Sequence, residues 1–173
     1  MDLIVSARPG ETRGTAKLGA REFPCALGRS GILGPKREGD GGTPAGRFAF
    51  RRLLYRADRV AHIETRLPAR HIEPDDGWCD DPADAAYNQP VTLPHPARHE
   101  RMWLDSHLYD LVVVIGHNDA PVVPGAGSAV FLHLAREDWG PTEGCIAFRQ
   151  ADLTAILKAV TQQDWIEIRS VKR

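Results

Sequence analysis

A thiol and an imidazole twelve positions apart, Cys145 and His133, end two apolar runs in AVFLHLAREDWGPTEGCIAF, residues 129–148. Side chains of these types do nucleophilic acyl chemistry. A neighbouring imidazole can draw a thiol from its usual pKa of ~8.5 toward the range where thiolate exists at neutral pH. The same ring can then protonate a leaving amine. Gly144, just before the thiol, lets the backbone approach a substrate closely. The amides of Glu143, Gly144 and Cys145 are placed to converge on a developing oxyanion. Against this stands the commoner fate of each residue: a lone cysteine is usually a small buried hydrophobe, and a lone strand histidine is usually structural. These residues alone leave both readings open.

His117 closes the run LVVVIGH and is a rival base or a substrate contact, ranked below His133. Glu143 reads as a loop charge or a substrate contact, and Lys36 and Asp40 in a glycine-rich loop read as solvated surface. His62, His71, His95, His99 and His107 match no HExxH or other ligand spacing, so no metal site is expected and these rings read as solvated or incidental. Cys25, Cys79 and Cys145 are odd in number and form no CxxC pair, which predicts at least one free thiol.

The elements that must position the pair are mostly strands. Leu3–Ala7 reads as a first strand and 15–27 as a second with its own hairpin. Residues 28–46 hold seven glycines and two prolines, so most of that stretch is a long loop. Residues 47–57 return to strand character, and 58–96 read as an excursion packed on the sheet. LVVVIGH, 111–117, is a β-branched run that fits a strand buried on both faces. Residues 130–135 and 145–148 are two further strands. In 151–160, Leu153, Ile156, Leu157 and Val160 fall at the i, i+3, i+4, i+7 spacing of an amphipathic helix. The alternation in WIEIRS, 165–170, closes the chain with a half-buried strand.

Composition bounds the rest. At 173 residues and 42% hydrophobic content, the chain reads as a single domain, 1–173, with a sizeable core. Lys and Arg total 22 against 23 Asp and Glu, so no bulk field favours nucleic acid or an anionic membrane. No run approaches membrane-spanning length. The N-terminus MDLIVSARPGETRG has no basic segment followed by an apolar core, which reads as cytoplasmic. A leader missing from the chain would place it in the periplasm or at the cell wall.

The segment His133 … Thr142-Glu143-Gly144-Cys145 resembles the signature of the YkuD-type L,D-transpeptidase catalytic domain, in which a histidine precedes a Ser/Thr-x-Gly-Cys block. Gly42-Thr43-Pro44-Ala45-Gly46-Arg47-Phe48 is similar to a second motif of that family, and the two stand in the family's order. EGDGGTPAGRF, YDLVVVIGHND and TEGCIAF look like the leaderless branch. The resemblance implies a small β-sandwich with one or more short helices. It also implies a cysteine acyl-enzyme mechanism without a cofactor and, as partner, a peptidoglycan stem peptide or muropeptide. In it, Cys145 attacks the amide before a terminal D-alanine, His133 serves as acid and base, and Gly144, Glu143 and Thr142 shape the site. The alternatives are an L,D-carboxypeptidase or amide hydrolase with the same dyad, and a β-sandwich module that binds cell-wall peptide without catalysis. Glu143 stands where many members carry His, and Ala147 where many carry Arg or Asn. Arg149 or Arg136 is then expected to supply the carboxylate-binding charge.

Overall fold

In the computed structural model, residues 1–171 are described. The chain begins with β1 (Leu3–Ala7), β2 (Arg13–Leu18) and β3 (Arg21–Ala26), the last two joined by a two-residue turn in which Gly19 has φ +60°. Two short strands, β4 (Ile32–Leu33) and β5 (Thr43–Pro44), pair in parallel inside the glycine-rich stretch and order it. The long strand β6 (Gly46–Tyr55) follows, then β7 (Ala69–His71), β8 (Asp76–Cys79), β9 (Pro90–Thr92) and β10 (His99–Arg101). A 3-10 turn at His107–Tyr109 leads to β11 (Leu111–Ile115), β12 (Phe131–Leu134), β13 (Ile146–Phe148), helix α1 (Gln150–Ala159) and β14 (Trp165–Ser170).

The main sheet runs β11-β12-β13-β3-β2-β1-β14-β6-β7, and β6 also pairs with β11. That extra pairing closes the sheet on itself, so the expected sandwich is corrected to a barrel-like sheet. The reason lies in β6, whose residues 46–49 pair with β14 while 50–55 pair with β11. One strand thus joins what would otherwise be two layers. Periodicity along a sequence shows which residues alternate, but not which strands meet.

Closure creates an inside and an outside, and each has its own apolar cluster. Inside lie Leu3, Val5, Phe50, Leu53, Leu111, Val113, Leu132, Ile146, Phe148 and Ile166, joined by Leu153, Ile156 and Leu157 of α1. The helix falls one position earlier than the periodicity of 151–160 suggests. Outside, Leu54, Val112, Val114, Phe131 and Cys145 pack with Trp78, Met102 and Tyr109. This explains the unbroken apolar run of β11: odd residues fill the barrel and even ones meet the excursion. The excursion is a three-stranded sheet, β10-β8-β9, laid over the outer face of β11 and β12. Trp78 meets Phe131 edge to face at 4.9 Å between ring centroids. A buried aromatic of this kind contributes ~1.5–3 kcal/mol from area alone, with about 0.5–1.5 more from the ring pair. The excursion is therefore fastened to the strand that leads into His133.

Candidate active site

β12 and β13 run parallel in adjacent positions, with His133 in register with Ala147 and Leu132 with Ile146. Side chains alternate along a strand, so Leu132, Leu134, Ile146 and Phe148 enter the barrel while His133, Cys145 and Ala147 face outward together. They line one cavity of about 590 Å³. Its other walls come from the excursion (His99, Glu100), from the 3-10 turn (Tyr109), from the glycine-rich loop (Lys36, Glu38) and from the loop after β12 (Arg136, Thr142, Glu143).

The thiol is held by backbone. Cys145 Sγ donates to the Ala129 carbonyl at 3.2 Å and accepts from the Phe131 amide at 3.3 Å. Ala129 has φ +52°, and its own amide donates to Asn88 Oδ1 at 3.0 Å. Asn88 is buried with φ +55°. Its Oδ1 also accepts from the Trp78 indole, and its Nδ2 donates to the carbonyls of His117 and Asn118. Two non-glycine residues at positive φ around the thiol are strain that the surrounding hydrogen bonds hold in place.

The Cys145 carbonyl is fixed from two sides. Thr142 Oγ1 donates to it at 2.7 Å and accepts from the Gly144 amide at 3.1 Å. Thr43 Oγ1, fully buried, lies 3.4 Å from the same carbonyl and accepts from the Gly28 amide at 2.9 Å. The two sequence motifs thus meet at the main chain of Cys145. Because Thr142 occupies the Gly144 amide, the expected convergence of three amides is corrected: Gly144 is withdrawn from that set. Gly144 is required for a different reason. It has φ +143°, and a Cβ there would stand 2.8 Å from the Gly42 carbonyl oxygen.

His133 Nδ1 lies 2.8 Å from the Leu134 carbonyl, which can only accept, so Nδ1 carries the hydrogen and Nε2 keeps its lone pair. Tyr109 packs edge-on against the ring at 5.3 Å. Burial pulls the imidazole down to about 4. Burial, with the charge of Glu100 adding to it, pushes the Cys145 thiol up to about 12, while the Phe131 amide and Lys36 oppose the rise. The resting pair is therefore a neutral thiol and a neutral imidazole, not the thiolate that an adjacent ring suggests from sequence. Desolvation disfavours the charged form of each.

Other predicted residues separate into those at the cavity and those away from it. Arg136 lines it. Arg149 does not; it precedes α1 and lays its guanidinium over Trp139 at 5.1 Å. His117 is buried elsewhere, against Phe48 and beside a second cavity of about 210 Å³, and burial pulls it down to about 4. Glu143 is exposed and paired with Arg29 at 3.0 Å. Lys36 and Asp40 are corrected: the Lys36 side chain is buried at the cavity wall and ion-paired with the partly buried Asp40, not solvated. Charged residues do get buried when paired.

Sequence reasoning missed Glu100 and Tyr109. The Tyr109 hydroxyl donates to Glu100 Oε1, and burial lifts the carboxyl up to about 7. Neither belongs to a motif, and only the packing of β10 and of the 3-10 turn against the barrel brings them to the thiol. Glu38 was missed as well; it accepts from Tyr87 and from Ser128, at 2.8 Å for the latter. All three cysteines are free, and Cys25 lies in the barrel core.

A buried thiol and a lone-pair imidazole on neighbouring strands, opening on one cleft, form a thiol–imidazole site of the kind that acyl-transfer chemistry uses. The chain belongs to the YkuD family, the L,D-transpeptidase catalytic domain, whose family model matches residues 12–168. Among solved structures, L,D-transpeptidase 1 of Mycobacterium tuberculosis is 18% identical, over 98% of this chain and 62% of that one, with a TM-score of 0.42. An L,D-transpeptidase from Mycobacterium smegmatis is 14% identical, over 97% of this chain and 58% of that one, also with a TM-score of 0.42. The chain thus spans about three fifths of the length of these proteins. No curated protein matches it by sequence. Among the described residues no helix is long and apolar enough to cross a membrane.

Proposed function

We propose that this protein is a cysteine acyltransferase that acts on peptidoglycan stem peptides through a Cys145 thioester, with His133 as acid and base. The observation that carries this reading is the shared outward face of β12 and β13, which sets His133 and Cys145 on one cavity with Lys36 and Arg136 at its walls. Arg136 answers the carboxylate of a peptide terminus, the group that Ala147 cannot bind, while Lys36 is already held by Asp40.

Substrate displaces the thiol from its bond to Ala129, and His133 Nε2 takes the Sγ proton as sulfur attacks the amide carbonyl before the terminal D-alanine. The C–S bond forms and the carbonyl becomes an oxyanion. On collapse the C–N bond breaks, and His133 returns its proton to the departing D-alanine amine. An acceptor amine then attacks the thioester and loses a proton to His133; the C–S bond breaks, His133 returns that proton to sulfur, and the thiol is regenerated with a crosslink formed. Water in place of the amine gives the tripeptide.

The neutral resting pair suits this order. A general base needs its lone pair free before substrate arrives, and the thiol need not ionise until the reacting carbonyl is in place. Incubating the protein with a tetrapeptide stem and following mass tests the reading. Loss of D-alanine with crosslinked dimer is expected, and both must vanish in Cys145→Ala. Tripeptide without dimer assigns the hydrolase instead, and turnover by Cys145→Ala overturns the mechanism.

A further inference from the structure

Away from the thiol–imidazole site, three side chains of the excursion converge: Cys79 at the end of β8, Asp84 in the following loop, and His95 beyond β9. Their ligand atoms, one thiol sulfur, one carboxylate oxygen and one imidazole nitrogen, all lie within 4.8 Å of one another. His95 Nε2 stands 3.6 Å from Asp84 Oδ1, too far for a hydrogen bond. That nitrogen is buried and has no hydrogen-bond partner among the described residues. A buried polar atom without a partner costs ~1–3 kcal/mol and calls for an explanation. His117 Nδ1 shares this condition, but among the described residues it belongs to no group of three ligand-type side chains.

We infer that Cys79, Asp84 and His95 form a site for a divalent transition-metal ion of the zinc class, with water in the fourth position. Tetrahedral zinc bound at ~2.0–2.3 Å holds its ligand atoms roughly 3.3–3.8 Å apart. The His95–Asp84 separation already falls in that range, and the remaining gap closes by side-chain rotation. Sulfur, imidazole and carboxylate together select zinc over magnesium or calcium, which prefer oxygen alone. One thiolate and one carboxylate neutralise a 2+ ion, so the loaded site adds no net charge to a buried place.

The surroundings favour a cation. The carboxylates of Asp80 and Asp81 act on the Cys79 sulfur with negative charge, which favours a bound cation. Of these two acids, Asp80 is engaged by Arg98 at 3.0 Å. The site would tie the loop after β8 to the segment leading into β10, which carries Glu100 to the cavity wall. Sequence reading expected no metal because the histidines match no HExxH or other ligand spacing and the cysteines form no CxxC pair. The fold supplies the convergence.

Metal-free full-length protein is incubated with excess Zn²⁺, desalted and assayed for metal. About one zinc per chain is expected, with release of one proton from Cys79 in weak buffer. Cys79→Ser and His95→Gln should each weaken retention at least tenfold, while Cys25→Ser and Cys145→Ala leave it unchanged. Loading with Co²⁺ should give a sulfur-to-cobalt absorption band that Cys79→Ser abolishes and Cys145→Ala keeps. Zn²⁺ should also raise Tm in the parent and in neither site variant. Zinc retained by both site variants, a cobalt band that follows Cys145, or no zinc retained by the parent overturns the inference. These readouts do not depend on the proposed reaction.

Discussion

Thr43→Val isolates what the glycine-rich motif does for the nucleophile. Valine matches threonine in shape, so the perturbation is the loss of one hydroxyl at a fully buried position. Two partners feel it. The Gly28 amide loses its acceptor at 2.9 Å and is left buried and unpaired, which costs about 2 kcal/mol. The Cys145 carbonyl loses only a 3.4 Å contact and keeps Thr142 at 2.7 Å. For a chain of this size each 1 kcal/mol lowers Tm by ~2–4 °C, so a fall of about 4–8 °C is expected. Thr142→Val should behave in the opposite proportion. It strips the short bond from the Cys145 carbonyl and the acceptor from Gly144, at a position water can reach. Its acylation rate should fall on the order of tenfold, equivalent to ~1.4 kcal/mol in the barrier, with a smaller loss of Tm. Thermal melts and intact-mass kinetics of carbapenem acylation at Cys145 measure the two quantities. An unchanged Tm in Thr43→Val, or a Thr142→Val variant that melts early yet acylates normally, would refute the division of labour.

Three further outcomes follow from the same geometry. His117 and His133 are both pulled from 6.5 down to about 4 by burial, so the unfolded chain takes up protons first as pH falls; each ring's contribution is intact above pH 6.5 and is lost between 6.5 and 4, by ~3 kcal/mol (2.5 pH units at 1.36 each). His117→Phe should flatten the dependence of Tm on pH across that window, and an equally steep profile would show the ring is not the source. Glu100→Gln removes a charge that pushes the Cys145 thiol up, so its iodoacetamide labelling profile should move to lower pH; a shift to higher pH would mean the carboxylate aids ionisation. Gly144→Ala places a Cβ 2.8 Å from the Gly42 oxygen at φ +143°, so a loss of ~1–3 kcal/mol in a denaturant melt and failure of acylation are expected, and near-parent values would show that the two loops separate freely.

The barrel strands were legible because β-branched and alternating runs have a physical cause that acts along the chain. Leu111–Ile115 reads as buried on both faces, and each face does meet its own cluster. The helix showed in its 3.6-residue spacing. Closure was not legible, since the pairing of β6 with both β14 and β11 is a contact between distant segments. Arg149 looked suitable by alternation from Ala147, but the chain turns into α1 directly after β13 and carries its guanidinium onto Trp139. Lys36 looked like surface because its paired burial with Asp40 depends on where the loop packs.

By itself, the sequence determined the local things: the strand that points His133 away from its leucine neighbours, the glycine before the thiol, and the order of two motifs that mark the family. Only the tertiary structure decided that the second motif reaches the first through Thr43. It also decided that Glu100, Tyr109 and Lys36 surround the thiol, and that burial leaves both members of the pair neutral at rest. Residue type and spacing act through the backbone over a few positions. Proton affinity is set by desolvation and by charges brought near from elsewhere in the chain, and these exist only once the excursion lies on the barrel.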